Sequence, residues 1–295
     1  RLQYGELDNV ILAATAKNIG GKRQAGEVAG IVAPLSTSEL EAPSALIEAK
    51  NIDDQFPTRL WLKDSSLWSD DPIAQDSIRN RLGWLDLVES TPAASASSRG
   101  FVKRMGDGDV DQVVLLGMGG SSLCAEVCRQ VFSVEDVWIV DSTIPTTVAA
   151  VAASVDLART LVVVSSKSGT TIEIQALLDF FHARCTPMLD QPGHRFIAIT
   201  DPGTPLEQIA YERGFRSLWL APTDVGGRFS ALSVFGILPM ELMGIDSGAI
   251  WTSARRMAAS CAAGTSTLDN PGTRLGAAIF NAYEAGRDKV TFVCS

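Results

Sequence analysis

Apolar runs recur at a steady interval through the middle of the chain, at Val113–Leu116, Val137–Val140, Leu161–Val164, Phe196–Ile199 and Ser217–Leu220. Such short runs, rich in β-branched and aromatic residues and bounded by turn formers, predict buried strands. Between them lie stretches long enough for helices: Ser122–Val131, Thr146–Val155, Thr171–Arg184 and Pro205–Arg213. Strand and helix patterns in alternation predict right-handed βαβ crossovers and a parallel sheet covered on both faces. The expected class is α/β, a doubly wound parallel sheet of five strands.

On either side the pattern changes. Residues 1–94 read as a mostly helical N-terminal segment. Leu2 to Ile19 fits a helix broken by Gly20-Gly21, and Ala29 to Pro34 is a short apolar piece ending at a proline. Trp61, Leu62, Leu67, Trp68, Leu82, Trp84, Leu85 and Leu87 give an aromatic-rich helical stretch. The small residues of Thr91–Gly100 read as a linker or turn, which sets a boundary to an α/β domain over 95–245. Gly227–Met243 is apolar almost all round and predicts one buried helix. Ile250–Ala263 and Thr273–Ala285 predict two connecting helices, and Lys289–Cys294 a strand, so 246–295 reads as a connection into the start of a second α/β unit.

Composition narrows the class. A chain of 295 residues with 46% hydrophobic and 20% charged residues belongs among globular proteins. The longest nearly apolar stretch, Leu232 to Ile245, has 14 residues interrupted by Pro239 and Glu241, too short to span a bilayer. No basic, then apolar, leader opens the chain, and its first residue is Arg1. The net charge of −9 argues against nucleic-acid binding but leaves room for a small anion held by a local field. Five cysteines form no framework; Cys124 and Cys128 share a helix face without a second pair to complete a metal site. Reduced, mostly buried thiols in a cytoplasmic setting are expected.

Chemistry concentrates in three loops at or beyond strand ends, where open parallel sheets bind ligands. Residues 165–173, Ser-Ser-Lys-Ser-Gly-Thr-Thr-Ile-Glu, follow the third strand and enter a helix. Free N–H groups and the positive dipole end favour an anion there, and Ser165, Ser166, Ser168, Thr170 and Thr171 add hydroxyls, Lys167 charge. The loop suits a phosphate on a small metabolite. Thr170 and Glu173 also fit a capping box, which explains those two residues but not the other polar positions. Gly117-Met-Gly-Gly-Ser-Ser122 after the first strand resembles a dinucleotide turn with Asp141 as its acidic partner, but Ser122 stands at the third glycine position. Gly119 and Gly120 otherwise admit a ligand close to the backbone, and Ser121 offers an N–H and a hydroxyl. In Val225-Gly-Gly-Arg-Phe-Ser230, Gly226-Gly227 exposes amides and Arg228 aims a guanidinium at an oxygen that becomes negative during reaction, or else forms a surface ion pair. His182 on a helix and His194 in a Pro-Gly-His turn read as structural.

The three loops, in this order and at this spacing, resemble the glucose-6-phosphate isomerase family, built from two sugar-isomerase domains; the match runs from about residue 95 to the end and fits the first domain. Arg59-Leu-Trp61, Leu67-Trp68 and Gly83-Trp-Leu-Asp86 resemble the isomerase half of bacterial transaldolase–isomerase fusions. The resemblance implies reversible conversion of glucose 6-phosphate and fructose 6-phosphate through an enediolate, with no metal or organic cofactor, in a homodimer. By residue, it implies Ser166, Lys167, Ser168 and Thr171 on the phosphate, Gly119, Gly120 and Ser121 lining the sugar, Gly227 and Arg228 facing the enediolate, and Glu173 as an active-site neighbour. A non-catalytic sugar-phosphate sensor and a nicotinamide-dependent dehydrogenase are the competing readings. The sensor lacks an evident helix-turn-helix module and basic surface.

In the family the base is a glutamate in a Glu-Ser-x-Gly-Lys stretch of the second domain. Here Glu89-Ser90 is followed by Thr91-Pro92, and no such stretch occurs. The chain therefore reads as an incomplete fragment holding the phosphate and Arg228 part of the site. It is expected to bind hexose 6-phosphates with little or no turnover. A coupled isomerase assay checks this, and ready turnover would show that the base lies within these residues.

Overall fold

A computed structural model describes residues 54–105 and 110–291. The readings for 1–53 and most of the expected strand at 289–294 lie outside the described residues; Lys289, Val290 and Thr291 carry no strand. Two compact units divide the chain, with the break between Ser266 and Thr267.

The larger unit opens with α1 (Phe56–Trp61), α2 (Pro72–Arg79), a 3-10 turn at Gly83–Asp86 and α3 (Leu87–Met105). Strands and helices then alternate: β1 (Gln112–Gly117), α4 (Leu123–Val131), β2 (Val137–Val140), α5 (Pro145–Ser154), β3 (Thr160–Ser165), α6 (Ile172–Cys185), β4 (Phe196–Thr200), α7 (Pro205–Glu212) and β5 (Ser217–Leu220). A 3-10 turn at Gly227–Leu232 leads into α8 (Val234–Leu242) and α9 (Ser247–Ser260). The second unit carries α10 (Pro271–Glu284).

The five strands form one parallel sheet in the order β2-β1-β3-β4-β5, the doubly wound arrangement expected from the sequence. Alternate residues point to opposite faces. Val114, Leu116, Val162, Val164 and Ala198 pack against Ile174, Leu177, Leu178 and Phe181 of α6, with Val148, Leu206 and Ala210 beside them. Val113, Leu115, Leu161, Val163, Ile197 and Ile199 pack against Phe101, Ala125, Phe235 and Leu238. Each fully buried Leu, Val or Ile contributes about 1.5–3 kcal/mol over exposure, so both helix layers hold the sheet.

Two expectations need correction. Thr91–Gly100, read as a linker, lies inside α3. Thr91, Ser95 and Ser98 are buried on that helix, and small side chains there let it lie close to its neighbours; Ser95 Oγ sits 2.7 Å from Ser247 Oγ and 3.3 Å from Glu241 Oε1. Arg99 Nη2 also donates to Glu241, at 3.3 Å. Pro92 has no N–H for the carbonyl of Val88, and the Trp251 indole N–H takes that place at 2.6 Å. The same helix runs through position 94/95, where the sequence reading set its boundary.

Gly227–Met243, read as one helix, is instead a 3-10 turn and a helix separated by extended Ser233. Ser233 Oγ donates to Ser230 O at 2.7 Å and accepts from Phe235 N at 3.2 Å, so it closes the turn and caps α8 together.

The break brings Ala231 O so close that a Cβ on Gly236 would lie 2.0 Å from it. Gly236→Ala is therefore expected to destabilise the protein by about 1–3 kcal/mol. A drop in the urea midpoint at constant slope checks it, and an unchanged midpoint would mean that the turn relaxes freely.

Candidate functional site

The chain leaves β1 toward β2 on one side and returns to β3 on the other, so the topological switch falls between β1 and β3. There Gly117 pairs with Ser165, which sets the glycine-rich loop and the hydroxyl-rich loop side by side at the strands' carboxyl ends. Ser165 Oγ ties them by donating to Ser121 O at 2.7 Å.

The glycine-rich loop is a 3-10 turn at Gly119–Ser121, with Gly119 at φ +56°. A Cβ on Gly120 would meet Gly227 O at 2.6 Å, so this glycine lets the first and third loops touch backbone to backbone. Ser230 Oγ reinforces the contact, 2.7 Å from Gly227 O and 3.4 Å from Gly120 O. Gly119 and Gly120 are read from the sequence as letting a ligand approach the backbone; the Cβ side of Gly120 faces Gly227, whereas that of Gly119 is open.

In the hydroxyl-rich loop, Thr171 is the N-cap of α6, and its side chain makes no capping bond. The Thr170–Glu173 capping box is therefore not formed: Thr170 N and Oγ1 both turn to Ser168 Oγ, at 3.2 and 3.0 Å. Buried Ser166 lies 3.4 Å from Thr171 Oγ1 and accepts from Gly169 N at 3.2 Å. Gly169, at φ +64°, lies where a Cβ would meet Thr204 at 2.8 Å, which clamps the loop against the start of α7. Among the described residues, the N–H groups of Ser168, Thr171, Ile172 and Glu173 meet no acceptor. Glu173 is exposed on the first turn of α6.

Lys167 is engaged within the protein. Its ammonium donates to Asp201 Oδ2 at 2.5 Å and to the carbonyls of Pro222 and Thr223 at 3.3 and 3.2 Å. The side chain thus leans toward the ends of β4 and β5 and binds three loops together. Asp201, in the Asp-Pro-Gly that follows β4, is not among the site residues expected from the sequence. Burial, which strands its Oδ1 without a partner, pushes the Asp201 carboxyl above its ordinary value, further than Lys167 pulls it down.

The third loop holds Arg228 exposed, and among the described residues no ion pair engages it, which removes the surface-pair reading. Its flanks are held from the front segment. Gly83 N donates to Asp224 O at 2.9 Å, Leu82 bridges Val225, and Trp84 stacks on Phe229 with centroids 5.7 Å apart. Sequence pattern carried no signal for these long-range contacts.

The remaining candidates are structural. His182 packs 5.4 Å from the Phe196 ring, and burial lowers its pKa. His194 sits in the 3-10 turn Pro192–Arg195. Cys124 and Cys128 lie one turn apart on α4, and the neighbouring Cys124 thiol holds Cys128 below its ordinary value. Among the described residues no three His, Cys, Asp or Glu side chains converge on a metal-sized site, and no helix is long and apolar enough to cross a membrane.

The sequence model of phosphoglucose isomerase matches residues 94–255, just over half of the 295. A glucose-6-phosphate isomerase of Thermus thermophilus is 34% identical over 179 residues, covering 59% of this chain and 42% of the relative. One from Campylobacter jejuni is 30% identical over 151 residues, covering 50% and 37%. Among solved structures, a hypothetical protein from Thermus thermophilus aligns with a TM-score of 0.66 at 26% identity, over 85% of this chain and 55% of that one. A glucose-6-phosphate isomerase from Chlamydia trachomatis shares the fold, with a TM-score of 0.54 at 22% identity over 82% and 50%. The chain thus spans 42% of the length of the Thermus relative and 37% of the Campylobacter one. By the extent of the family match, the chain belongs to the phosphoglucose isomerase family.

Proposed function

We propose that this chain carries the phosphate-binding and enediolate-facing part of an aldose–ketose isomerase that interconverts glucose 6-phosphate and fructose 6-phosphate. One observation carries the reading: four unpaired amides, the hydroxyls of Ser166, Ser168 and Thr171 and a helix N-terminus gather at the switch point, beside a turn presenting an unpaired Arg228. Family membership and the relatives' names support it.

Ser166, Ser168 and Thr171 donate to the phosphate oxygens, together with the free amides, and the α6 dipole favours the negative charge. Lys167 contributes through its position: its pair with Asp201 fixes the loop end, leaving neutral donors to make the phosphate contacts. Gly119, Gly120 and Ser121 line the sugar. Moving a proton between adjacent carbons builds charge on two oxygens, and Arg228, with the backbone opened at Gly227, stabilises that enediolate. Glu173 supplies a carboxylate next to the phosphate loop. None of these steps calls for a metal or organic cofactor.

Thermal-shift titration tests the substrate class. 6-Phosphogluconate, whose carboxylate resembles the enediolate, and glucose 6-phosphate are expected to raise Tm, and NAD is not. Stabilisation by NAD alone would reverse the assignment. Ser166→Ala and Thr171→Ala are each expected to weaken inorganic phosphate about three- to tenfold by calorimetry, the worth of one hydrogen bond. Arg228→Lys is expected to weaken 6-phosphogluconate about tenfold and leave inorganic phosphate unchanged, because a single ammonium loses the two-pronged contact. Equal affinity for 6-phosphogluconate in both proteins would remove Arg228 from the enediolate.

A further inference from the structure

The turn that presents Arg228 is not rigid by itself. Gly226 and Gly227 precede it, and a Cβ on Gly227 would meet nothing within 4 Å. Gly120 and Ser230 hold the Gly227 carbonyl from the side of the first loop; the contacts that bracket Arg228 on both sides come from the front segment, about 140 residues earlier in the chain.

Before the turn, Leu82 and Val225 form an antiparallel bridge and Gly83 N donates to Asp224 O at 2.9 Å. The Asp224 carboxylate lies over Gly83, 2.3 Å from where a Cβ would stand. Lys63 pairs with Asp86 and reaches Asp224 at 3.8 Å, linking both strands of the bridge. Immediately after Arg228, Phe229 stacks on Trp84 with the planes within 24°. Phe229 is 55% exposed, so this stack supplies what burial does not. Further on, Thr91 Oγ1 lies 2.8 Å from Leu232 O and 2.6 Å from Leu87 O of its own helix, its one proton shared between them. By contrast, among the described residues no hydrogen bond from residues 63–91 reaches 165–173.

We propose that the front segment is a clasp that sets where Arg228 stands, with Trp84 as its positioning residue. The inference rests on the functional reading above, since Arg228 has its role only there. Trp84 touches the residue after Arg228 and acts through it. Loosening the stack leaves the phosphate loop as it was and lets the guanidinium wander from the enediolate oxygens, so recognition of the reacting end fails selectively.

The test is Trp84→Ala in the full chain, with Trp84→Phe as the conservative control. Hydrogen–deuterium exchange is expected to rise over residues 225–232 and to stay unchanged over 165–173. Affinity for 6-phosphogluconate is expected to fall about fivefold, with inorganic phosphate unchanged and Trp84→Phe close to the parent in both. Unchanged exchange at 225–232, a rise shared with 165–173, or equal weakening of the two ligands would overturn the clasp. If the parent binds neither ligand, the functional reading fails and exchange alone decides whether the clasp exists. If Trp84→Ala loses its cooperative thermal transition, Asp224→Asn takes its place. That variant removes the pairing to Lys63, keeps the Gly83 N–H bond, and carries the same expected pattern of exchange.

Discussion

Parallel pairing of β1 with β3 is the constraint from which the rest follows. Once Gly117 stands opposite Ser165, two loops far apart in sequence leave the sheet at one level and one place. The chain reverses its direction of winding at that pair, so no crossover helix covers the gap above it. A glycine-rich turn and the N-terminus of α6 then stand side by side at the switch-point crevice. Both sheet faces are buried under helices, which holds the register: a one-residue slip would turn Val114, Leu116, Val162 and Val164 away from α6.

The crevice is built with hydroxyls and backbone far more than with charge. Ser165 joins two loops, Ser230 joins two, and Ser233 closes one turn while opening a helix. Short side chains of this kind bring backbones together without adding bulk, and Gly120 against Gly227 takes the same logic to its limit. Lys167 and Asp201, the charged pair of the region, are used to join strand ends. In a protein with a net charge of −9, the proposed phosphate site is thus made largely of neutral donors.

Two parts of the sequence were read by composition and behave otherwise in the fold. The run from Thr91 to Gly100 is small and polar, which resembles a linker, yet Thr91, Ser95 and Ser98 form the buried stripe of α3. Composition cannot separate these cases, because a close helix contact and a flexible link both select small residues. The apolar stretch after Gly227 looked like one helix because apolar residues fill nearly all of it, and an apolar pattern says nothing about the kink at Ser233. The front aromatic segment was legible as packed on something larger, but not as the support of a turn beyond position 224.

The chain's pattern alone determined the strands, their parallel α/β arrangement, the three loops and the family they resemble. These are local properties: period, turn residues and motif spacing are written in neighbouring positions. Tertiary structure decided the partners. It sent Lys167 to Asp201, set Gly120 on Gly227, left Arg228 unpaired and brought Trp84 to Phe229. The three contacts join residues 34 or more positions apart, and only the closing of the sheet and its helix layers determines which of many such pairs meet.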